Sequence, residues 1–203
     1  MLKNKHGLTA TSLITDIGSG TCISSELFLK RGNPVTGVEP NKEMREAAER
    51  LLKDYPRFRS VSGTAEATTL ESQSVDFIVA GQAFHWFNRE TARREFMRIL
   101  KPNGWVVLIW NDRKTEATPF LSAYERLLKA YATDYDKVDH KQIDAQVVRT
   151  FFEPGPVSLE VFPNQQQFDF EGLKGRLESS SYSPEPEHPN YSLMINGLKS
   201  IFD

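Results

Sequence analysis

The sequence predicts an α/β fold built on a doubly wound, mainly parallel sheet. Three observations predict it. Short apolar runs alternate with helix-length amphipathic segments through the first 110 residues. The first run, Leu13-Ile14-Thr15-Asp16-Ile17, leads directly into the turn Gly18-Ser19-Gly20 and a segment able to open a helix. Further along, Lys101-Pro102-Asn103-Gly104 stops a helical pattern just before another apolar run.

The elements follow in order. Residues 13–17 read as a buried strand. Residues 24–30 read as a helix with Ile23, Leu27 and Phe28 on one face. A second strand spans 34–38. Asn41 caps a helix running to about Lys53, with Met44, Ala47, Ala48, Leu51 and Leu52 on one face. Strands follow at 58–62 and 75–80. The helix at 89–100 turns Ala92, Phe96, Ile99 and Leu100 inward, and a fifth strand spans 105–110. Beyond that the pattern changes. Helices are expected at 118–133, 141–152, 170–179 and 191–202, with one alternating strand at 157–162. The segment 183–189 carries three prolines and reads as a loop.

Composition narrows the classes. A chain of 203 residues is the size of one domain. Its net charge of −2 argues against a nucleic-acid binder. The single cysteine, Cys22, excludes an intrachain disulfide and a multi-cysteine zinc site, and His140 and His188 stand alone, so no metal is expected. No apolar run reaches the ~20 residues that span a bilayer, so no membrane role is expected. The charged N-terminus lacks an apolar signal segment, and a cytoplasmic protein is the expectation.

The glycine turn carries the functional information. Gly18 and Gly20 allow a tight turn and close backbone approach. The helix that follows favours electron-rich groups at its N-terminus. The second strand ends Gly37-Val38-Glu39-Pro40. An acid about 20 residues beyond such a turn is placed to accept hydrogen bonds from ribose hydroxyls. The dinucleotide pattern G-x-G-x-x-G fails because Ile23 holds its third glycine position, and no phosphate-cradling lysine loop is present. Asp16 before the turn repels a pyrophosphate and suits an ammonium group. S-adenosylmethionine has a ribose, an α-amino group and no phosphate, which selects it over NAD or ATP.

At this point the sequence resembles a class I S-adenosylmethionine-dependent methyltransferase, within the small-molecule "type 11" domain group. The likeness covers roughly residues 13–110. It is carried by Asp16-Ile17-Gly18-Ser19-Gly20-Thr21-Cys22, Gly37-Val38-Glu39-Pro40, Gly63-Thr64-Ala65-Glu66 and Leu100-Lys101-Pro102-Asn103-Gly104. The resemblance implies a Rossmann-like fold and a cofactor site, position by position. Asp16 serves the methionine end through water or the amino group. The backbones of Gly18 and Gly20 pack on the cofactor, and Glu39 binds both ribose hydroxyls. Pro40 and Met44 lie near the adenine face. Ala65 offers its backbone N–H to the adenine ring, between Thr64 and Glu66. Gly81 and Gln82 line the methionine and sulfonium region. Two positions depart from the pattern. Cys22 stands where the family has a third glycine, and Thr64 where it often has Asp, with Glu66 available to compensate.

Methyl transfer needs in-line positioning, exclusion of water and, for some acceptors, a base. The stretch Ala83-Phe84-His85-Trp86-Phe87 lies where such groups belong. His85 is the catalytic candidate, as base or as acceptor ligand; the alternative is an aromatic core with His85 satisfied by a carbonyl. Asn111 and Arg113 can meet a polar acceptor or form a solvated loop. Arg93, Arg94 and Arg98 make a basic helix face. Cys22 near a helix N-terminus is expected to have a lowered pKa.

The expected organisation is a cofactor-binding core at 1–112 and a helical acceptor-side region with one further strand at 113–203, in one domain. The resemblance implies a chain short at both ends, without the family's final antiparallel strand. Unpaired strand edges then favour homo-oligomers. The expected function is methyl transfer to a small molecule; the alternatives are cofactor or S-adenosylhomocysteine binding without catalysis, and a non-catalytic scaffold.

Overall fold

The computed structural model describes residues 1–135 and 145–203. His140 and the start of the helix expected at 141–152 lie outside the described residues. The chain divides into two compact units, one formed by 1–110 with 145–157 and the other by the described residues of 111–144 and by 158–203.

In the first unit, α1 (Leu2–His6) precedes the alternation β1 (Ile14–Ile17), α2 (Ile23–Leu29), β2 (Val35–Val38), α3 (Lys42–Leu51), β3 (Phe58–Val61) and β4 (Val75–Gly81). A 3-10 turn (Phe84–Trp86), α4 (Arg89–Ile99), β5 (Leu100–Ile109) and α6 (Ala145–Phe152) complete it. The second unit holds α5 (Pro119–Tyr131), α7 (Phe170–Glu178) and α8 (Pro189–Phe202).

Five parallel strands form one sheet in the order β3-β2-β1-β4-β5. The expectation of a doubly wound, mainly parallel sheet is therefore borne out. The order reverses beside β1, where β1 pairs with both β2 and β4. Such a switch point opens a crevice at the carboxyl ends of the strands. Ile14, Val35 and Phe77 pack against Phe28, Ala48 and Leu52 from α2, α3 and the residue after it. Phe84, Phe96 and Phe151 form a separate aromatic cluster, with Phe84 and Phe151 centroids 4.8 Å apart. In the second unit, Leu127, Leu128, Leu173, Leu177, Met194 and Leu198 form the core.

Caps set several helix starts. Asn41 Oδ1 accepts from Met44 N–H at 3.1 Å, Asn88 Oδ1 from Thr91 N–H at 3.2 Å, and Thr118 Oγ1 from Leu121 N–H at 3.1 Å. α8 begins earlier than the sequence pattern suggests. Pro189 occupies its first turn, where no N–H is required, and His188 Nδ1 accepts from Asn190 N–H at 3.1 Å.

Four expectations need correction. α2 does not turn Ile23 and Leu27 inward; they are 80% and 62% exposed. Its buried residues are Ser25, Phe28 and Leu29, because Ser25 is drawn down onto Asp16. In α3, Ala48 is buried while Met44 and Leu51 face solvent. Leu100 begins β5 instead of ending α4. It pairs with Val75, and the strand resumes at Trp105 opposite Phe77, so 101–104 bulge out with Asn103 at φ 65°. No strand forms at 157–162, where Leu159, Val161 and Phe162 are exposed. An alternating pattern becomes a strand only with a ladder to join.

Candidate functional site

Four loops meet the carboxyl edge of the first unit's sheet: 18–22 after β1, 39–41 after β2, 62–67 after β3 and 82–87 after β4. The first is held by backbone. Gly18 and Ser19 N–H both donate to Val38 O, at 2.9 and 3.3 Å, and Cys22 N–H donates to Ser19 O at 2.8 Å. Gly18 (φ 66°) has no room for a side chain: a Cβ would lie 2.7 Å from Ala83 Cβ. Gly20 (φ 54°) differs, since a Cβ there would meet nothing within 4 Å. Its outer face is open for a ligand.

Glu39 joins this loop to β2. Its Oε2 accepts from Gly20 N–H at 2.9 Å and its Oε1 from Asn41 N–H at 3.0 Å. Each carboxylate oxygen can accept two hydrogen bonds, so acceptor capacity remains on both. Arg45 braces the strand end, donating from Nη1 to Glu39 O at 2.8 Å and Pro40 O at 2.7 Å. Pro40 is exposed and Met44 half-exposed beside it.

Asp16 lies beneath the loop, 1% exposed, with Ser25 Oγ donating to its Oδ2 at 2.8 Å. Burial is the main influence on its carboxyl, which is pushed up to about 6; Ser25 opposes the shift and Glu39 adds to it.

Cys22 takes a left-handed conformation (φ 64°) and is 2% exposed. Its thiol points to β2: a Cβ on Gly37 would lie 2.8 Å from Cys22 Sγ and 3.0 Å from Ser19 Oγ. The side chain is accommodated by the glycine across from it. Burial pushes the thiol pKa up, which corrects the lowering expected from the nearby helix N-terminus.

On the β3 side, residues 64–67 form a tight turn closed by Thr64 N–H to Ala67 O (3.2 Å) and Ala67 N–H to Thr64 O (3.3 Å). Ala65 is buried and Thr64 exposed. Glu66 does not reach towards Thr64; its Oε1 accepts from Asn88 N–H at 2.8 Å. After β4, Gly81 allows α2 to approach, since a Cβ there would lie 2.6 Å from Ser24 Oγ. Gln82 (φ 55°) is exposed, and its N–H donates to Ile109 O at 2.9 Å. Phe84 is fully buried against Phe87, Trp110 and Phe151. His85 is half-buried with its ring 4.7 Å from that of Trp86, which is exposed.

Other candidates lie elsewhere. Arg113 belongs to the second unit, where it pairs with Glu125, donates to Tyr135 Oη at 3.0 Å and lies over the Tyr124 ring. Asn111 Oδ1 accepts from Asn164 Nδ2 at 2.9 Å. The arginines of α4 are engaged: Arg93 with Glu153 O, Arg94 with Glu90 and Arg98 with Glu95. Among the described residues, no three His, Cys, Asp or Glu side chains gather to hold a metal ion.

Sequence reasoning missed the contacts of Ser25, Gly37, Arg45, Thr68 and Glu95. Gly37 had a legible signal, a glycine inside a buried strand opposite a bulky loop residue. Ser25, Arg45 and Thr68 act on Asp16, Glu39 and Glu95, which lie 9, 6 and 27 residues away, separations that no local pattern encodes.

The fold and its glycine loop define a doubly wound α/β domain whose loops gather at the switch point beside β1. The Methyltransferase domain family matches residues 15–108. An uncharacterized methyltransferase-like protein of Schizosaccharomyces pombe is 34% identical over 125 residues, 61% of this chain and 47% of its own. A Methanococcus maripaludis protein assigned as an S-adenosyl-L-methionine-dependent methyltransferase shares 26% identity at a TM-score of 0.58, covering 74% of this chain and 69% of that one. A structure from Anaeromyxobacter dehalogenans covers 94% and 81% at a TM-score of 0.67; at 21% identity the likeness is one of fold. Over residues 15–108 the chain is similar to the methyltransferase domain family, and these relatives and structures are described as methyltransferases or methyltransferase-like proteins. It spans about half the length of the curated relatives it matches. No helix among the described residues is long and apolar enough to cross a membrane.

Proposed function

We propose that this chain binds S-adenosylmethionine at the carboxyl edge of β1 to β4 and directs its methyl group to a small-molecule acceptor. The observation that carries the reading is Glu39, fixed by the N–H groups of Gly20 and Asn41 with acceptor capacity to spare, beside the open face of Gly20. That arrangement suits a ribose diol. Pro40 and Met44 flank the adenine, and the Thr64-Ala65-Glu66 turn meets its edge. Gly18, Gly81 and Gln82 shape the methionine end, with Asp16 acting from beneath the loop on the ammonium group.

When bound, the cofactor supplies an electrophilic methyl group on a sulfonium. The chain's own residues orient it, exclude water and, for a protonated acceptor, take up the proton as the methyl group arrives. His85 is the residue proposed for that proton. Association of copies through β5 is part of the reading, since among the described residues β5 pairs only with β4.

A second reading, binding without transfer, is favoured by Asn111 and Arg113, whose polar groups are already engaged within the second unit. Two experiments decide. Calorimetry with S-adenosylhomocysteine gives saturable heat for the wild type and at least ~100-fold weaker binding for Glu39→Ala, the loss of two hydrogen bonds to a charged group. Equal affinity in the variant refutes the ribose assignment. Transfer of labelled methyl to a panel of small carboxylic acids, phenols and amines then separates catalysis from binding. His85→Ala is expected to slow transfer while leaving the calorimetric affinity unchanged.

A further inference from the structure

α4 holds the chain at the end of the Thr64-Ala65-Glu66 turn and just beyond it. At the start of the helix, Asn88 N–H donates to Glu66 Oε1. Two turns further, Glu95 Oε1 accepts from Thr68 N–H at 2.8 Å and also from the Thr68 hydroxyl. Arg98 backs this carboxylate with Nε on Oε2 at 2.7 Å and Nη2 on Oε1 at 2.8 Å. The same guanidinium continues along the loop, donating to Leu70 O at 2.7 Å and Ser72 Oγ at 3.2 Å. Thr68 is fully buried and Glu95 nearly so. The Arg98 guanidinium holds the Glu95 carboxyl down to about 2, so the acceptor stays charged throughout the neutral range.

The turn has little rigidity of its own. Its two closing hydrogen bonds are 3.2 and 3.3 Å long, at the weak end of the range. Its position is therefore set from outside, by charge-assisted hydrogen bonds one residue past its end. With Glu95 nearly buried and Arg98 partly exposed, the pair adds little net stability, but it fixes the geometry of the groups it holds.

We infer that Thr68, Glu95 and Arg98 are positioning residues of the cofactor site, setting where the Ala65 backbone N–H meets the adenine ring. The inference rests on the adenine-side reading of residues 64–66 given above. The ring nitrogen beside the exocyclic group carries a lone pair in adenine and a hydrogen in hypoxanthine. A correctly placed N–H donor therefore prefers adenine, and a displaced one loses that preference.

The test is calorimetric titration of the full chain with S-adenosylhomocysteine and S-inosylhomocysteine, run well below each variant's melting temperature. The wild type is expected to favour the adenosyl probe by about 10-fold, the worth of one hydrogen bond gained against one clash. Thr68→Val keeps the side-chain shape and removes the hydroxyl. It is expected to weaken the adenosyl probe by roughly 10-fold and bring the ratio near unity, with Glu95→Gln moving the same way. Thr68→Ser, which keeps the hydroxyl, restores both values. A Thr68→Val protein that melts earlier yet keeps the wild-type ratio overturns the inference, because the clamp then supports only the fold. Should Glu95→Gln fail to fold, Thr68→Val and Thr68→Ser decide alone. If the wild type itself binds neither probe, the cofactor reading fails, and this inference with it.

Discussion

Asp16→Asn tests the electrostatics of the loop floor. Asp16 is almost fully enclosed, and Ser25 Oγ donates to its Oδ2 at 2.8 Å. Its carboxyl is pushed up to about 6 from an ordinary 3.8. For an acid, a raised folded-state pKa means that the native protein holds the proton more tightly than the unfolded chain. The associated stability is fully present below about pH 3.8 and is lost as pH rises through about 6. At about 1.4 kcal/mol per pH unit, the full loss is ~3 kcal/mol. Asn cannot ionise, so the variant escapes this loss. Its amide brings a second donor into a buried site, a cost that does not depend on pH. The assay is urea unfolding of both proteins at several pH values from 4 to 8, read as the stability of the variant minus that of the wild type. Other titrating groups cancel in that difference. It should rise by roughly 2 to 3 kcal/mol from pH 4 to pH 8, with its midpoint between 3.8 and about 6. Ser25→Ala removes a bond that favours the charged form, so in that background the rise extends to higher pH. A difference that stays flat from pH 4 to 8 refutes the idea that an ionising Asp16 lies under the loop.

Two further outcomes follow from contacts already described. Gly37→Ala should cost roughly 1 to 3 kcal/mol in unfolding free energy, because the new Cβ falls 2.8 Å from Cys22 Sγ. Adding Cys22→Ala should recover much of that loss, and strict additivity in the double-mutant cycle would disprove the contact. Sedimentation across a wide protein concentration range should show reversible self-association, weakened by Ile109→Lys at the edge strand; a monomer at every concentration removes β5 as an interface.

Much of the first unit is legible from local pattern because its strands are short, buried and bounded by glycine, proline or a capping side chain. Asn41 marks a helix start that the structure bears out, and the helix expected from residue 89 begins there. The second unit's helices are equally readable from their apolar spacing. Failures came where a partner overrode the local signal. Ser25, a polar residue, faces inward because Asp16 receives it, and that contact sends Ile23 and Leu27 outward. Val157, Leu159 and Val161 alternate as a strand should, yet among the described residues they have no ladder to join. Thr68, Glu95 and Arg98 sit in unremarkable sequence, and only the fold brings them together.

The glycine loop also shows that positions usually treated as one motif answer to three separate demands. Gly18 must lack a side chain because Ala83 occupies the space from the protein side. Gly20 is not crowded at all, so the protein itself leaves a side chain there room, and any loss beyond backbone strain must come from a ligand on that face. Position 22 needs only a left-handed backbone, which a non-glycine residue adopts at a cost of about 1 kcal/mol. Cys22 meets that demand and buries its sulfur against the bare Cα of Gly37, away from the open side of the loop. It follows that Gly20→Ala separates structure from binding in a way the other two positions cannot. Alanine at φ 54° carries the same modest backbone strain as Cys22, so the fold should survive with about 1 kcal/mol lost. Cofactor affinity should fall by more than that, because the new methyl group occupies the surface the ligand is proposed to touch. Thermal unfolding and calorimetry on one variant give both quantities. An affinity unchanged by Gly20→Ala would mean that the open face of Gly20 is not where the cofactor lies.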